Sequence, residues 1–414
     1  MPVERVALGS GLAAALRDST TADVEAAVRV IVDRVRAEGD AAVLAYTREL
    51  DTGGAQPWPL RVEPLQLDEA LDALPGPLRE ALELAAGNVR AVALAAMSSD
   101  RKVDLPQGQT VTLREVPVRR AAIYVPGGRA PYPSTVVMGA VTAQAAGVEE
   151  VAVCSPPRDD GDVDPVVLAA CGLCGVAEVD RMGGAQAVAA LALGADTVPA
   201  VDVIAGPGNA YVQEAKRRLS DVVGIDSFAG PSELAVVFDA TADTRLVAAD
   251  LVAQAEHGAA SLVVAISPSA EALDALADPL ASAPARAVLV DAPDLEAALA
   301  FVEDLAPEHL QLMGDEAEAL APRVRRAGCL FVGAGSGTAF GDYVAGSNHV
   351  LPTGGAARFA SALSPRTFRR TMAEVRVAPS EELAQAGAAI ARAEGFVAHA
   401  ESMEARIRDN GRHG

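Results

Sequence analysis

The chain has 414 residues, of which half are apolar and only 3% aromatic, and it carries a formal net charge of −22. At roughly 150 residues per domain this length makes two or three domains, and the acidic balance argues against a nucleic-acid partner, which needs clustered Lys and Arg. The first residues lack the apolar stretch of a signal peptide, and no run approaches ~20 uninterrupted apolar residues, so a cytoplasmic protein without a membrane span is expected. From about Thr21 to Leu50, Val24, Ala27, Val28, Ile31, Val32 and Val35 recur at helical spacing and predict a helix. A turn-rich break at Asp51 to Pro59 follows, then more helix through Asn88 to Ala95. Between about Val111 and Asp239 short apolar runs alternate with helical stretches. Strands are predicted at Ala121–Val125, Glu150–Cys154, Ala177–Asp180, Val201–Ile204 and Leu234–Phe238, and helices near Ser134–Ala146, Gly184–Leu193 and Ala210–Leu219. Such alternation is the mark of a parallel α/β unit.

A second alternating stretch continues the pattern. It has a helix near Thr244–His257, strands at Ser261–Ile266 and Ala287–Val290, a helix at Leu295–Leu305 and a strand at Gly328–Val332. Glycine- and proline-rich loops fill Gly333 to Pro365, and a helical tail runs from about Glu381 to Arg408. Two α/β units of similar build fit a duplicated module. The four cysteines make no disulfide framework; Cys171 and Cys174 form a CxxC among small apolar residues and read as reduced packing cysteines.

The chain holds only five histidines, and four lie in short polar stretches beside a carboxylate or amide. Histidine is both the usual neutral-pH acid/base and the commonest metal ligand. In QAEHG, a helix capped by Asp243 and stopped at Gly258 puts Asp250, Gln254 and His257 on one face, where two side chains can hold one cation. Taken alone, a solvated helix end with a dipole-stabilised histidine is the plainer account. In APEHL, Pro307 is placed at a helix start, with Glu308 and His309 reaching a site off its N-terminus. Two adjacent proton-transfer groups suit a reaction with more than one proton step, although a surface Glu-His pair also fits.

The long loop FVGAGSGTAFGDYVAGSNHVLPT carries Asp342 and His349 after a strand, and the C-terminal ends of strands are where α/β ligand sites form. GAGSG in that loop and GPGNAYVQEAK (Gly206 to Lys216) both fall short of a dinucleotide fingerprint, because Thr338 and Tyr211 stand at the third glycine position. The GPGN turn still follows a strand and opens a helix, which suits a phosphate. In IYVPGGRAPYPST (Ile123 to Thr135) a strand enters a Pro-Gly-Gly turn and a helix capped by Ser134 or Thr135, which fits an anion site or a plain tight turn equally.

Together YVPGG, GGAQA, GPGNA, AGPSE, QAEHG, APEHL, GDY, GSNHVLPT and EGFVAH, in that order, resemble the histidinol dehydrogenase family, as does Gly39 to Asp51 near the N-terminus. The resemblance spans roughly residues 25 to 400. It implies zinc held by Gln254, His257, Asp342 and His399, with Glu308 and His309 as the acid/base pair. Ser232, His309, His349 and Glu394 would hold the rest of the substrate alongside the zinc ligands, and Tyr124, Gln186 and Asn209 would touch NAD. The implied fold is α/β, with two incomplete Rossmann-like domains built on parallel sheets. One comprises about residues 26–120 and 233–361, and the other is inserted at 121–232. An N-terminal arm (1–25) and a C-terminal helical extension (362–414) complete it, exchanged between the chains of a homodimer whose active sites are shared. The implied reaction is the zinc- and NAD-dependent oxidation of L-histidinol to L-histidine by way of L-histidinaldehyde. The rival readings are a paralogue acting on another small polyol or sulfonated diol, a zinc hydrolase using Glu308, and a non-catalytic binding protein.

Overall fold

A computed structural model describes residues 3–17, 24–55, 58–127, 130–227 and 230–408. Outside them lie Thr21 to Asp23 of the first predicted helix, Gln56 and Pro57 of the turn-rich break, Gly128 of YVPGG, Ala229 of AGPSE and His413. The chain opens on strand β1 (Glu4–Ala7) and passes through helices to β2 (Arg101–Asp104) and β3 (Gln109–Pro117). A run of five follows: β4 (Arg120–Tyr124), β5 (Glu150–Ser155), β6 (Glu178–Arg181), β7 (Val203–Ala205) and β8 (Gly224–Ile225). A second run of five is β9 (Glu233–Phe238), β10 (Leu262–Ser267), β11 (Arg286–Asp291), β12 (His309–Met313) and β13 (Cys329–Val332), and β14 (Arg369–Val377) closes the series.

By their contacts the residues form two compact units, Met1–Ala96 with Val118–Phe368, and Met97–Pro117 with Arg369–Gly414. In the first unit lie two parallel sheets, ordered β6-β5-β4-β7-β8 and β1-β11-β10-β9-β12-β13. Leaving aside β1 at its edge, the second sheet has the order of the first: the third, second, first, fourth and fifth strands of its own run. The chain therefore uses one topology twice. It is the five-strand part of the doubly wound order, in which the chain reverses direction beside the first strand. The expectation of an α/β fold with parallel sheets is met.

Strand β4 shows how residue choice makes the layers. All five of its residues are buried, and successive side chains alternate between faces. Ala121 and Ile123 pack with Leu67, Leu82, Val153 and Val167, whereas Ala122 and Tyr124 pack with Val28, Val32, Cys154 and Val188. A side chain at Gly139 would put its Cβ 2.4 Å from Ile123 Cγ2, so only glycine lets the helical segment of residues 133–145 lie this close to β4. The expected grouping joined residues 26–120 to the β9–β13 sheet. Helices Glu25–Glu38, Pro64–Ala73 and Gly76–Ala95 instead cover the β4–β8 sheet, because that is where their apolar faces are buried. The β9–β13 sheet is covered by helices Thr244–Ala255 and Ala270–Leu280 on one face and Leu295–Leu305 on the other.

The helix expected over residues 21–50 is divided at Gly39, whose φ of 56° lies in the left-handed region, and its last turn, Thr47–Asp51, is π-helical. Cys171 and Cys174 are both buried in the core; burial pushes the Cys171 thiol well above the ordinary thiol range and that of Cys174 up to about 12.

The second unit is not wholly helical. It contains the antiparallel sheet β14-β3-β2, in which Arg369 to Val377 pair residue for residue with Pro117 to Gln109. The helical tail expected from about Glu381 to Arg408 is present as two helices, Glu381–Ala393 and Val397–Arg408, separated at Gly395 (φ 83°). Among the described residues no helix is long and apolar enough to cross a membrane.

Candidate active site

Ala306 ends the helix Leu295–Leu305 with φ 48°, and it is the one non-glycine residue at positive φ among the described residues. A buried alanine held there is mildly strained, as backbone near functional groups often is. Directly after it, Pro307 and Glu308 lead into β12, which begins at His309. The helix expected to start at Pro307 is therefore a strand. A new strand begins there because His309 to Met313 pair with β9 on one side and His309 to Leu312 with β13 on the other. Gly328 makes room: a Cβ there would sit 2.6 Å from the Glu308 carbonyl oxygen.

At this N-terminal edge two buried glutamates grip each other's backbone. The Glu233 amide donates to Glu308 Oε2 at 2.8 Å, and the Glu308 amide donates to Glu233 Oε2 at 3.3 Å. Glu233 Oε1 also accepts from the Gly354 amide at 3.0 Å. Burial, opposed by that amide and reinforced by the charge of Glu308, pushes the Glu233 carboxyl up to about 7. His309 is 3% exposed; its Nδ1 lies 3.0 Å from the Glu233 carbonyl oxygen and its Nε2 3.7 Å from Asp342 Oδ1. A carbonyl can only accept, so Nδ1 carries a proton, which in the neutral ring leaves Nε2 as the basic nitrogen. Burial lowers the His309 pKa, but the carboxylates of Glu308 and Asp342 outweigh it and hold it well above the usual imidazole value.

The loop after β13 does not keep Asp342 and His349 at the C-terminal end of that strand, where they were expected. It turns through the helix Thr338–Tyr343 and brings Asp342 back to the start of β12. Asp342 is held below the ordinary carboxylate range: burial opposes this, and His309 outweighs it with added pull from His349 and His257. His349 Nδ1 donates to the Asp342 carbonyl oxygen at 2.8 Å, and its Nε2 lies 3.2 Å from Thr135 Oγ1. Burial lowers the His349 pKa, so this imidazole is neutral near pH 7. Its neighbour Asn348 donates to the Met138 carbonyl oxygen at 3.1 Å, a group set in the π-helical turn Val137–Val141. Irregular turns of this kind leave a carbonyl open to an outside donor.

Asp243 caps the helix Thr244–Ala255 as expected, its side chain accepting from the Arg245 amide. The expected face is present but its residues do different things. Asp250 accepts from Gln311 Nε2 at 2.7 Å, Gln254 is 2% exposed with no hydrogen-bond partner for Nε2, and His257 is exposed beyond the helix end. Half-buried Ser232 adjoins Glu233 at the start of β9.

Tyr124, Gln186 and Asn209 belong instead to the β4–β8 module, at the C-terminal ends of its strands. The Tyr124 hydroxyl accepts from the Gly184 amide at 3.0 Å, two residues before Gln186. Gln186 is buried; its Nε2 donates to Asp51 at 3.4 Å, and its Oε1 has no partner. Burial pushes the Asp51 carboxyl up to about 6. The Asn209 side-chain oxygen is taken up in capping the helix Ala210–Leu219, accepting from the amides of Tyr211 and Val212, so only its NH₂ remains for a ligand. The GPGN turn is held from behind. Buried Lys216 donates to the Gly206 carbonyl oxygen at 2.6 Å and to Asp226 at 2.7 Å, and Asp226 accepts from the Gly206 amide at 2.7 Å.

The profile of the histidinol dehydrogenase family matches residues 15–407. The chain belongs to the histidinol dehydrogenase family. It is 46% identical over 401 residues to the histidinol dehydrogenase of Parasynechococcus marenigrum (strain WH8102), covering 93% of this chain and 91% of that one. To the enzyme of Leifsonia xyli subsp. xyli (strain CTCB07) it is 44% identical over 413 residues, covering 94% of each. The crystal structure of histidinol dehydrogenase from Elizabethkingia anophelis matches it with a TM-score of 0.91 at 29% identity, covering 99% of both chains. Membership makes the chain an oxidoreductase, and the zinc hydrolase and binding-protein readings fall away.

The zinc expected from the resemblance would have donors to meet here. Gln254 presents a buried amide with an unpartnered atom, and because oxygen and nitrogen of a Gln amide exchange by a flip, it can offer the oxygen. Asp342 and the His257 imidazole are within electrostatic reach of one another. A carboxylate, an amide oxygen and an imidazole form a mixed N/O set of the kind zinc accepts. Among the described residues no three His, Cys, Asp or Glu side chains gather into a metal-holding group by themselves. His399 and Glu394 belong to the second unit, where both are exposed; His399 stacks on Phe396 at 5.1 Å, and Glu394 caps the helix Glu381–Ala393. Glu233 escaped the sequence reading, while Thr135, expected as a helix cap, lies inside the helix Pro133–Val136, and Asp51 was read only as the edge of a turn. Glu233 did stand in the AGPSE motif, and a charged residue heading an otherwise apolar strand was the available signal.

Proposed function

We propose that the chain oxidises L-histidinol to L-histidine through L-histidinaldehyde, the last steps of histidine biosynthesis, as a cytoplasmic homodimer in which the partner chain supplies Glu394 and His399. The observation that carries this reading is the clamped imidazole of His309, with Glu308 Oε2 3.5 Å from Nδ1 and Asp342 3.7 Å from Nε2. Zinc bound through Gln254, His257, Asp342 and His399 would fix and polarise the substrate's oxygen, and NAD against Tyr124, Gln186 and Asn209 would accept hydride. His309 Nε2 takes the hydroxyl proton in the first oxidation. Asp342 is one of the two carboxylates that raise His309, and a cation held by Asp342 would offset part of its pull and so favour the imidazole as a base. Glu308 then takes a proton from the water that adds to the aldehyde, so the two neighbours serve successive steps. Neutral His349 and Ser232 line the substrate, and the Glu394 carboxylate meets its cationic end.

Counting NADH formed per L-histidine, alongside metal analysis, tests this. Two NADH per histidine and loss of zinc from His257→Ala are expected. Faster turnover of another polyol or sulfonated diol to its acid would transfer the chain to the paralogue reading, and one NADH per turnover would overturn the two-oxidation reading itself.

A further inference from the structure

Every polar group of Glu233 is committed, and each bond leads to the catalytic neighbourhood. Its amide holds the Glu308 carboxylate, its carbonyl holds His309 Nδ1, and its own carboxylate accepts from the amides of Glu308 and Gly354. The β9–β12 ladder begins at the pair Leu234 and His309, so Glu233 and Glu308 stand just before its first rung. Without these side-chain bonds the Glu308 amide would be unpaired and its carboxylate free to turn. Glu233 is 8% exposed, and among the described residues no Lys or Arg forms an ion pair with it. A buried carboxylate with no Lys or Arg partner is costly, and two backbone amides are its return partners. A glutamine could not replace it, because one of its two ends donates and would face an amide that also donates.

We propose that Glu233 is the positioning residue of the Glu308–His309 pair: it aims the Glu308 carboxylate, fixes the His309 tautomer and, through Gly354, ties both to the loop carrying His349. It does not touch substrate. The proposal rests on the reading of Glu308 and His309 as the acid/base pair.

The test is Glu233→Gln in the full-length, metal-loaded protein, with the alcohol and aldehyde oxidations assayed separately. Misplacement of reacting groups by an ångström costs about 10²-fold, so kcat should fall by about that factor in both steps, with KM for histidinol within about threefold. Glu233→Asp, which keeps two acceptor oxygens, should recover part of the loss. A merely structural role would reduce the folded fraction and leave kcat per folded molecule unchanged, and that result would overturn the proposal. Glu308→Gln and His309→Ala are run beside it. If those two keep full activity, the acid/base reading fails; if they lose it while Glu233→Gln does not, only the positioning role fails. In the unmodified protein the amides of Glu233, Glu308 and Gly354 should exchange as slowly as the core of β9. Fast exchange there would overturn the proposal even if both Glu233 variants misfolded.

Discussion

The two parallel sheets of the first unit share one strand order and carry their candidate site residues at opposite ends of it. In the β4–β8 sheet the strand starts are closed by ions: Arg120 pairs with Glu150 and Glu178, and Arg61 with Glu178. Its strand ends carry Tyr124 and the GPGN turn, which is where ligands enter a doubly wound sheet. In the β9–β13 sheet the strand ends are the closed side. Asp239 follows β9 there and accepts from the amides of Thr241, Glu316 and Ala317, while Gly314 has no room for a Cβ, which would meet Asp239 Oδ1 at 2.3 Å. Glu308 and His309 stand at its strand starts. Topology thus says where a crevice can form, and the polar residues that fill or leave each end say which crevice is used.

If the strand starts of the β9–β13 sheet are the chemical end, Glu308→Gln should hit hardest. Loss of a positioned base costs about 10²–10⁴-fold, and the aldehyde oxidation should suffer more than the alcohol oxidation when each is assayed by NADH formation. Equal damage to both steps would mean that Glu308 serves the first proton transfer too.

The β4–β8 sheet should respond differently. Lys216→Met leaves Asp226 buried without its cation, and breaking such a pair costs about 3–5 kcal/mol. Denaturant unfolding should show that loss, with a raised KM for NAD and little change in KM for histidinol. A rise in the histidinol KM alone would remove the GPGN turn from the cofactor's side.

The smallest effect belongs to the closed end. Asp239→Ala removes the acceptor of three amides, which costs about 1–3 kcal/mol of stability, while kcat at 25 °C should be unchanged. Burial raises the Asp239 pKa, but its hydrogen bonds from Thr241, Ala317 and Glu316 outweigh this and hold it below the ordinary carboxylate value. Its stabilisation is therefore complete above the unfolded carboxylate pKa of about 4 and lost as pH falls through the lower folded value. Stability curves of wild type and variant should converge in acid; a constant gap would assign the loss to packing.

Much was legible in the residues themselves. The apolar runs at Leu234–Phe238 and Glu150–Cys154 are buried strands, and Asp243 caps its helix, because a local pattern of burial and capping needs no distant partner. Helix Gly184–Leu193 is found where its spacing put it. The helix expected over residues 21–50 was overlong because the pattern of apolar residues survives across Gly39 while the backbone does not. Strands β3 and β14 were missed. Their residues are largely half-buried or exposed, as in RRTMAEVRV, so no apolar run marked them, and each is made a strand by a partner about 260 positions away in sequence.

The site divides in the same way. His309, Asp342 and His349 stood out because histidine is scarce here and each sits in a polar stretch, and the structure joins them through Asp342. That APEHL opens a strand was decided by β9 and β13, since proline after a helical run suits a new helix equally well until neighbouring strands offer their hydrogen bonds. Glu233 shows the limit most clearly. It lies 75 positions from Glu308 in sequence, and only the pairing of β9 with β12 sets their amides and carboxylates within reach. Local sequence determines which groups can donate, accept or take a proton; strand order and register decide which of them meet.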